Sequence, residues 1–264
     1  MKYFLYLALI VLFSCAEQQS STDENKIYNL IDSADSLLKK EIFRASFSCL
    51  EKARAIDSTN IEVNLKLSQF YLFLKNWDKA IARTNDVLKI DRTNAKAYFL
   101  KALAFKYFGD TAKAISNFQT AIEQDGDFYE AFIQLGLIST VKHDSSAIAY
   151  FNNALILKPG SSEALYAKAW FYQSHGKSNQ ALGLYPLIQP NQPQYFNAQY
   201  NCGYLFFNAK DYPNALKFFT TAAKYRIPKA QYMKGLTLEA AGQKDSAQFY
   251  YRRCLEMDSN YLEA

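Results

Sequence analysis

The chain has 264 residues, half of them apolar and 16% aromatic, enough to bury a substantial core and to exclude general disorder. Thirty basic residues against 25 acidic give a formal charge of +5. With no basic run longer than Arg252-Arg253, this is too diffuse for a nucleic-acid face, and no nucleic-acid partner is expected.

The first fifteen residues, MKYFLYLALIVLFSC, carry one charge at Lys2 and an apolar run from Tyr3 to Phe13. That run is shorter than the ~20 residues a membrane-spanning helix needs, and it fits the apolar core of a signal peptide. Leu12-Phe13-Ser14-Cys15 resembles the lipobox of bacterial lipoproteins, with Leu at −3, a small residue at −1 and then the Cys. The resemblance implies cleavage after residue 14 and acylation of Cys15, which would tie the chain to a membrane through a lipid. Ala16, where an Asp is absent, accompanies outer-membrane sorting in lipoproteins of the enteric type. Residues 15–26 then read as the lipidated Cys and a flexible tether, because AEQQSSTDENK offers no large apolar side chain.

From residue 27 the chain repeats itself. Ala114, Phe118 and Ala121 are spaced four and three apart, so they share one helical face. The same spacing recurs as Ala147-Phe151-Ala154, Ala215-Phe219-Ala222 and Ala247-Tyr251-Cys254. Weaker copies are Ser46-Leu50-Ala53, Ala80-Thr84-Val87 and Ala181-Tyr185-Ile188. Ala80, Ala114, Ala147 and Ala181 follow one another at 34, 33 and 34 residues. Upstream of each copy a small residue (Ala34, Ser68, Ala102, Gly136, Ala169, Gly203, Gly235) marks a second helix that must pass close to the first. Gly109, Gly176 and Gly242 stand where a left-handed cap ends that helix.

These features resemble the tetratricopeptide repeat family. The resemblance implies an all-α fold, an α-α superhelix of about seven helix-turn-helix repeats. The units lie near 27–60, 61–94, 95–128, 129–161, 162–193, 196–227 and 228–261. Unit five departs from the pattern, with Pro186 inside its second helix and Pro190 and Pro193 following. A bend or loosened turn is therefore expected at 186–194, separating five units from two.

Little in the chain suggests chemistry. His143 and His175 are 32 residues apart in predicted turns, without Cys or carboxylates at ligand spacing, so no metal is expected. Cys49, Cys202 and Cys254 are widely spaced on predicted helices and read as small buried hydrophobes. GxSxG, Walker A, GxGxxG and HExxH patterns are all missing, so neither an enzyme activity nor a cofactor is expected.

What remains is a surface. In the family, the first helix of each unit lines the concave face through its second, fifth, ninth, twelfth and thirteenth positions. Here those positions supply Phe99, Tyr107, Tyr166, Trp170, Tyr200, Tyr204, Phe207 and Tyr232. The Lys and Asn pair of family members that clamp a peptide carboxylate is missing. An aromatic, largely uncharged groove for a protein or peptide partner across units five to seven is one reading; packing of the rings against neighbouring helices is the other. No helix is read beyond the last unit to cover it, so Phe249, Tyr250 and Leu255 are expected to be exposed, and a homodimer or partner docking is predicted there. The resulting expectation is an envelope lipoprotein acting as an interaction scaffold or assembly adaptor. The rival is a carbohydrate- or peptidoglycan-binding module using the same tyrosines.

Overall fold

The computed structural model describes residues 22–224 and 227–261, and these are helical throughout, with no strand among them. The predicted signal peptide and Cys15 lie outside the described residues. Seven helical hairpins follow in order. They are α1 (22–39) with α2 (Phe43–Ile56), α3 (Ile61–Phe73) with α4 (Trp77–Ile90), and α5 (Ala95–Phe108) with α6 (Thr111–Gln124). Then come α7 (Tyr129–Val141) with α8 (Ser146–Leu157), α9 (Ser162–Ser174) with α10 (Ser178–Leu184), α11 (Tyr195–Asn208) with α12 (Tyr212–Ala223), and α13 (Pro228–Ala240) with α14 (Lys244–Met257). None of these helices is long and apolar enough to cross a membrane.

Polar side chains set where many helices begin. Asn60, Asn94 and Ser161 accept from the backbone N–H three residues on and cap α3, α5 and α9. Asn76, Asp110 and Asp211 do the same for α4, α6 and α12. Pro213 sits in the first turn of α12, where its missing N–H has no partner to lose. The first helix starts at residue 22, so residues 22–26, read from sequence as tether, are helical. Asp23 suits the positive end of the helix and pairs with Lys26 at 3.1 Å, while Ile27 and Ile31 anchor the next turns in the core.

The turn inside every hairpin is built the same way. One residue adopts positive φ: Glu41, Lys75, Gly109, His143, Gly176, Lys210 and Gly242 in succession. The next backbone N–H donates to the carbonyl five residues back at 2.8–2.9 Å, as in Asn76 to Tyr71, Asp110 to Phe105 and Asp211 to Phe206. These are Schellman caps, which satisfy carbonyls the helix end would leave open. The sequence marks three of the seven with glycine. The other four place a Cβ where it is sterically disfavoured.

Within each hairpin the helices approach closely where the small residue lies. A Cβ added at Gly136 would lie 2.5 Å from Phe151, at Gly203 2.7 Å from Phe219, and at Gly235 2.7 Å from Tyr251. The ring of the second helix therefore fills the space left by the missing side chain of the first. Unit one uses another solution, in which Ser46 is buried and its hydroxyl donates to the Ala34 carbonyl at 2.7 Å.

The chain divides into two compact units, one through Ala131 and one from Phe132. The first has a core of Ile27, Ile31, Ala34, Leu50, Ala53, Val63, Leu67 and Phe70, with a second cluster of Leu65, Val87, Ala97 and Leu100. In the second unit Leu165, Ala169, Ala181, Tyr185, Ile188, Ala198, Cys202 and Leu205 form one cluster, and Ala215, Phe219 and Met233 another.

Unit five bears the expected disturbance. Its second helix stops at Leu184 and tightens into a 3₁₀ turn over Tyr185–Leu187 around Pro186. The disturbance stays local, however. Tyr185 and Ile188 are buried with Ala198 and Cys202 of α11, and the division between compact units falls inside α7 instead. Apolar burial on both sides of the proline turn holds the array together there, which a local breaker signal does not report.

Candidate functional site

The eight rings expected to line a groove separate by register. At the fifth position of the first helix, each ring lies against the ring of the second helix in its own hairpin. Phe99 meets Phe118, Tyr166 meets Tyr185 and Tyr200 meets Phe219 at 5.6 Å, and Tyr232 meets Tyr251 at 5.7 Å. All four are tilted pairs, the arrangement that aromatic quadrupoles favour. These rings are half-buried and hold hairpins together.

Hydroxyl bonding strengthens the pair in unit five. The Tyr185 hydroxyl donates to Gln173 Oε1 at 2.7 Å and accepts from Asn201 Nδ2 at 3.0 Å, and Asn201 also reaches the Tyr166 hydroxyl at 3.1 Å. Burial raises the pKa of both tyrosines, so both hydroxyls stay neutral.

The ninth position behaves differently. Trp170 and Tyr204, equivalent residues of α9 and α11, are each 39% exposed. Both helices are otherwise packed, with Ala167, Ala169 and Phe171 buried in α9 and Cys202, Gly203 and Leu205 buried in α11. Of the later-position rings, Phe207 is half-buried beside Tyr212 at 6.1 Å. Tyr107, in the first compact unit, stacks on Trp77 at 5.3 Å and remains mostly exposed.

The cysteines behave as small core residues. Cys202 is fully buried and its thiol is pushed up to about 12 by desolvation, so no thiolate forms near neutral pH. Cys254 donates its thiol hydrogen to the Pro228 carbonyl at 3.2 Å. The histidines, by contrast, come together. His143 Nδ1 lies 3.4 Å from His175 Nε2, and the His175 ring stacks on Phe171 at 4.1 Å. A spacing of 32 residues places them in successive hairpin turns, and its closeness to the repeat period was the sequence signal for this meeting. Among the described residues no group of three or more His, Cys, Asp or Glu side chains gathers to hold a metal ion.

Sequence models of the tetratricopeptide repeat match residues 43–104, 95–128 and 228–261. The chain is 27% identical over 192 residues to the BBSome complex member BBS4 of Bos taurus, covering 71% of this chain and 36% of that protein. It spans about a third of the length of the curated relatives it matches. Among solved structures, it is similar to the C-terminal part of a TPR repeat-containing protein from Cytophaga hutchinsonii. The TM-score is 0.69 and the identity 15%, over 88% of this chain and 97% of that one. PilW, a type IV pilus biogenesis factor, gives a TM-score of 0.64 at 20% identity, over 77% and 96% of the two chains. At these identities the likeness is one of fold. Together with the hairpin packing, the matches identify residues 43–128 and 228–261 as tetratricopeptide repeats within an all-α tetratricopeptide array.

Proposed function

We propose that this chain is a membrane-anchored scaffold or assembly adaptor of the bacterial envelope, held by a lipid on Cys15 and binding protein through its repeats. The tetratricopeptide fold supports a protein–protein interaction scaffold, and such arrays are generally non-catalytic. The observation that carries the reading is the separation of ring roles in the second compact unit. Tyr166, Tyr200 and Tyr232 are occupied in hairpin packing, whereas Trp170 and Tyr204 stand open at one register. Rigid aromatic side chains with a polar tip give large contact area at low entropic cost and are enriched where proteins dock. The anchor rests on the resemblance of Leu12-Phe13-Ser14-Cys15 to a lipobox. PilW, a pilus biogenesis factor of similar fold, offers a precedent for assembly work by such an array.

Photo-crosslinking from Trp170 and Tyr204 in intact cells, read by mass spectrometry, tests the scaffold. A discrete protein adduct at both positions supports it, and no adduct at either position overturns the assignment of these two rings to a docking face. Cell fractionation tests the anchor, since Cys15→Ala should release the protein from membranes; retention would refute lipidation.

A further inference from the structure

At the fourth position of the first helix, most hairpins carry a large apolar side chain, such as Tyr98, Phe132 and Leu165. Hairpin two has Asn64 there, hairpin six has Gln199 and hairpin seven has Gln231, each buried. Asn64 and Gln231 are treated differently. Asn64 Nδ2 donates to the Ser58 and Asn60 carbonyls at 2.9 Å, and Asn64 Oδ1 accepts from Arg54 Nε at 3.3 Å and Arg83 Nη1 at 3.4 Å. Asp86 in turn holds both arginines, at 3.7 and 2.9 Å. Hairpins one and two together therefore satisfy this buried amide. Gln231 is 5% exposed, and its Oε1 is buried with no hydrogen-bond partner among the described residues. Buried polar atoms without partners are rare because each forfeits its hydration with nothing in return.

Gln231 lines a cleft of about 840 Å³, where the C-terminal ends of α12 and α14 flank the first turn of α13. That volume lies within the range of ligand-binding clefts. Lys224, Arg252 and Arg253 also line it, and none of the three makes an ion pair among the described residues. Among the described residues Glu256 is the one carboxylate in the wall, and Phe249 and Met257 supply apolar surface, Phe249 being 56% exposed. The cleft thus combines free cations, an apolar flank and a buried acceptor that lacks a donor.

We infer that this cleft receives an extended acidic segment of a protein partner, whose carboxylates meet Arg252, Arg253 and Lys224 while a main-chain N–H donates to Gln231 Oε1. Three features favour a peptide over a bare anion. A phosphodiester or a dianionic phosphomonoester has no hydrogen to donate to Oε1, whereas a peptide backbone presents an N–H at nearly every residue. Glu256 repels a dense polyanion but tolerates carboxylates spaced along a chain. Phe249 and Met257 need apolar side chains to cover them, which a mixed sequence provides. Guanidinium groups suit the carboxylates because they pair with them in a two-bonded fork. The inference rests on the scaffold reading and names the chemistry of one partner surface.

The test uses the full chain and a fluorescein-labelled, capped acidic peptide in which Glu alternates with Leu, with the same peptide carrying Gln for Glu as its neutral counterpart, followed by fluorescence anisotropy. The acidic peptide should bind and the neutral one should bind at least about tenfold more weakly, since charged hydrogen bonds supply the difference. The double variant Arg252→Gln/Arg253→Gln should lose about tenfold or more, and Gln231→Met, which keeps the volume but not the acceptor, should also weaken binding at constant salt dependence. A far-UV melt of each variant establishes that it is folded. Binding unaffected by Gln231→Met, or abolished equally by moderate salt in every variant, would show diffuse charge attraction and overturn the inference. Tighter, Arg252- and Arg253-dependent binding of anionic phospholipid vesicles or inorganic phosphate than of the acidic peptide would also overturn it. A photo-crosslinker at Phe249 separates the two levels of the argument. Adducts in an acidic stretch of a partner support the cleft, and adducts from Trp170 and Tyr204 alone sink the cleft but leave the scaffold standing. Silence at all three positions removes both.

Discussion

Phe219 occupies the space that a side chain at Gly203 would need: a Cβ at that glycine would lie 2.7 Å from the ring's Cδ1 and 2.8 Å from Cε1. The ring is fully buried, so it has no room to yield. Gly203→Ala should therefore destabilise the protein by about 1–3 kcal/mol, although alanine is ordinarily the better helix former by about 1 kcal/mol. Urea unfolding measures this, and Gly203→Ala/Phe219→Leu should recover part of the loss. Gly183 is the contrast, with nothing within 4 Å of an added Cβ and no positive φ. Gly183→Ala should stabilise by about 0.5–1 kcal/mol, an outcome that separates packing from propensity.

The hairpin turns make an independent prediction. Lys75 and Lys210 adopt φ of 57° and 60° at the register where Gly109 and Gly176 sit. A left-handed conformation costs a residue with a Cβ about 1–2 kcal/mol, offset in part by glycine's larger entropy when unfolded. Lys75→Gly and Lys210→Gly should each raise stability by about 0.5–1 kcal/mol. Gly109→Ala should lower it by about 1 kcal/mol, as read by thermal unfolding.

Ring variants should sort by register. Tyr200→Ala and Tyr166→Ala remove rings packed at 5.6 Å on Phe219 and Tyr185, and each should cost about 2–4 kcal/mol. Trp170→Ala and Tyr204→Ala remove open side chains and should change unfolding free energy by less than about 1 kcal/mol while abolishing partner crosslinking. Equal destabilisation by all four would assign every ring to the core.

Acid sensitivity should concentrate in the turns that join helices, where Asp91, Asp110 and Asp144 have lowered pKa values. Asp91 accepts from the Thr93 hydroxyl at 2.7 Å, from the Asn94 amide at 3.0 Å and from the Thr93 backbone N–H at 3.0 Å, and these bonds hold its carboxyl below the usual carboxylate range. The ionised form is favoured on folding, so the contribution is complete above the ordinary carboxylate pKa of about 4 and is lost as pH falls through the lower folded value. Asp91→Ala should flatten that part of the urea stability profile between about pH 5 and 2, leaving the profile at neutral pH parallel to wild type.

The repeat was legible in the sequence because each hairpin solves the same steric problem. Ala114-Phe118-Ala121 and its copies must present one face, and Gly136, Gly203 and Gly235 must leave room for Phe151, Phe219 and Tyr251. Such constraints are local, operating over about thirty residues, so they leave a periodic trace. The early start of α1 was less visible, since Asp23 and Lys26 stabilise a helix end by charge without any apolar period.

Whether a ring faces a neighbour or solvent was decided by tertiary packing. Tyr200 and Tyr204 have the same chemistry and lie four residues apart, yet one abuts Phe219 and the other is open, because the second helix of the hairpin covers only part of the first. The meeting of His143 with His175 depends on successive turns coming side by side. The contrast between Asn64, satisfied by two arginines, and Gln231, left with an unpartnered oxygen above a basic cleft, arises from which side chains flanking helices bring within reach. Sequence by itself determined the period, the small-residue slots and the chemistry available at each register. Only the folded chain decided which of those groups found partners, since a hydrogen bond or ring contact depends on distances between helices that no local pattern specifies.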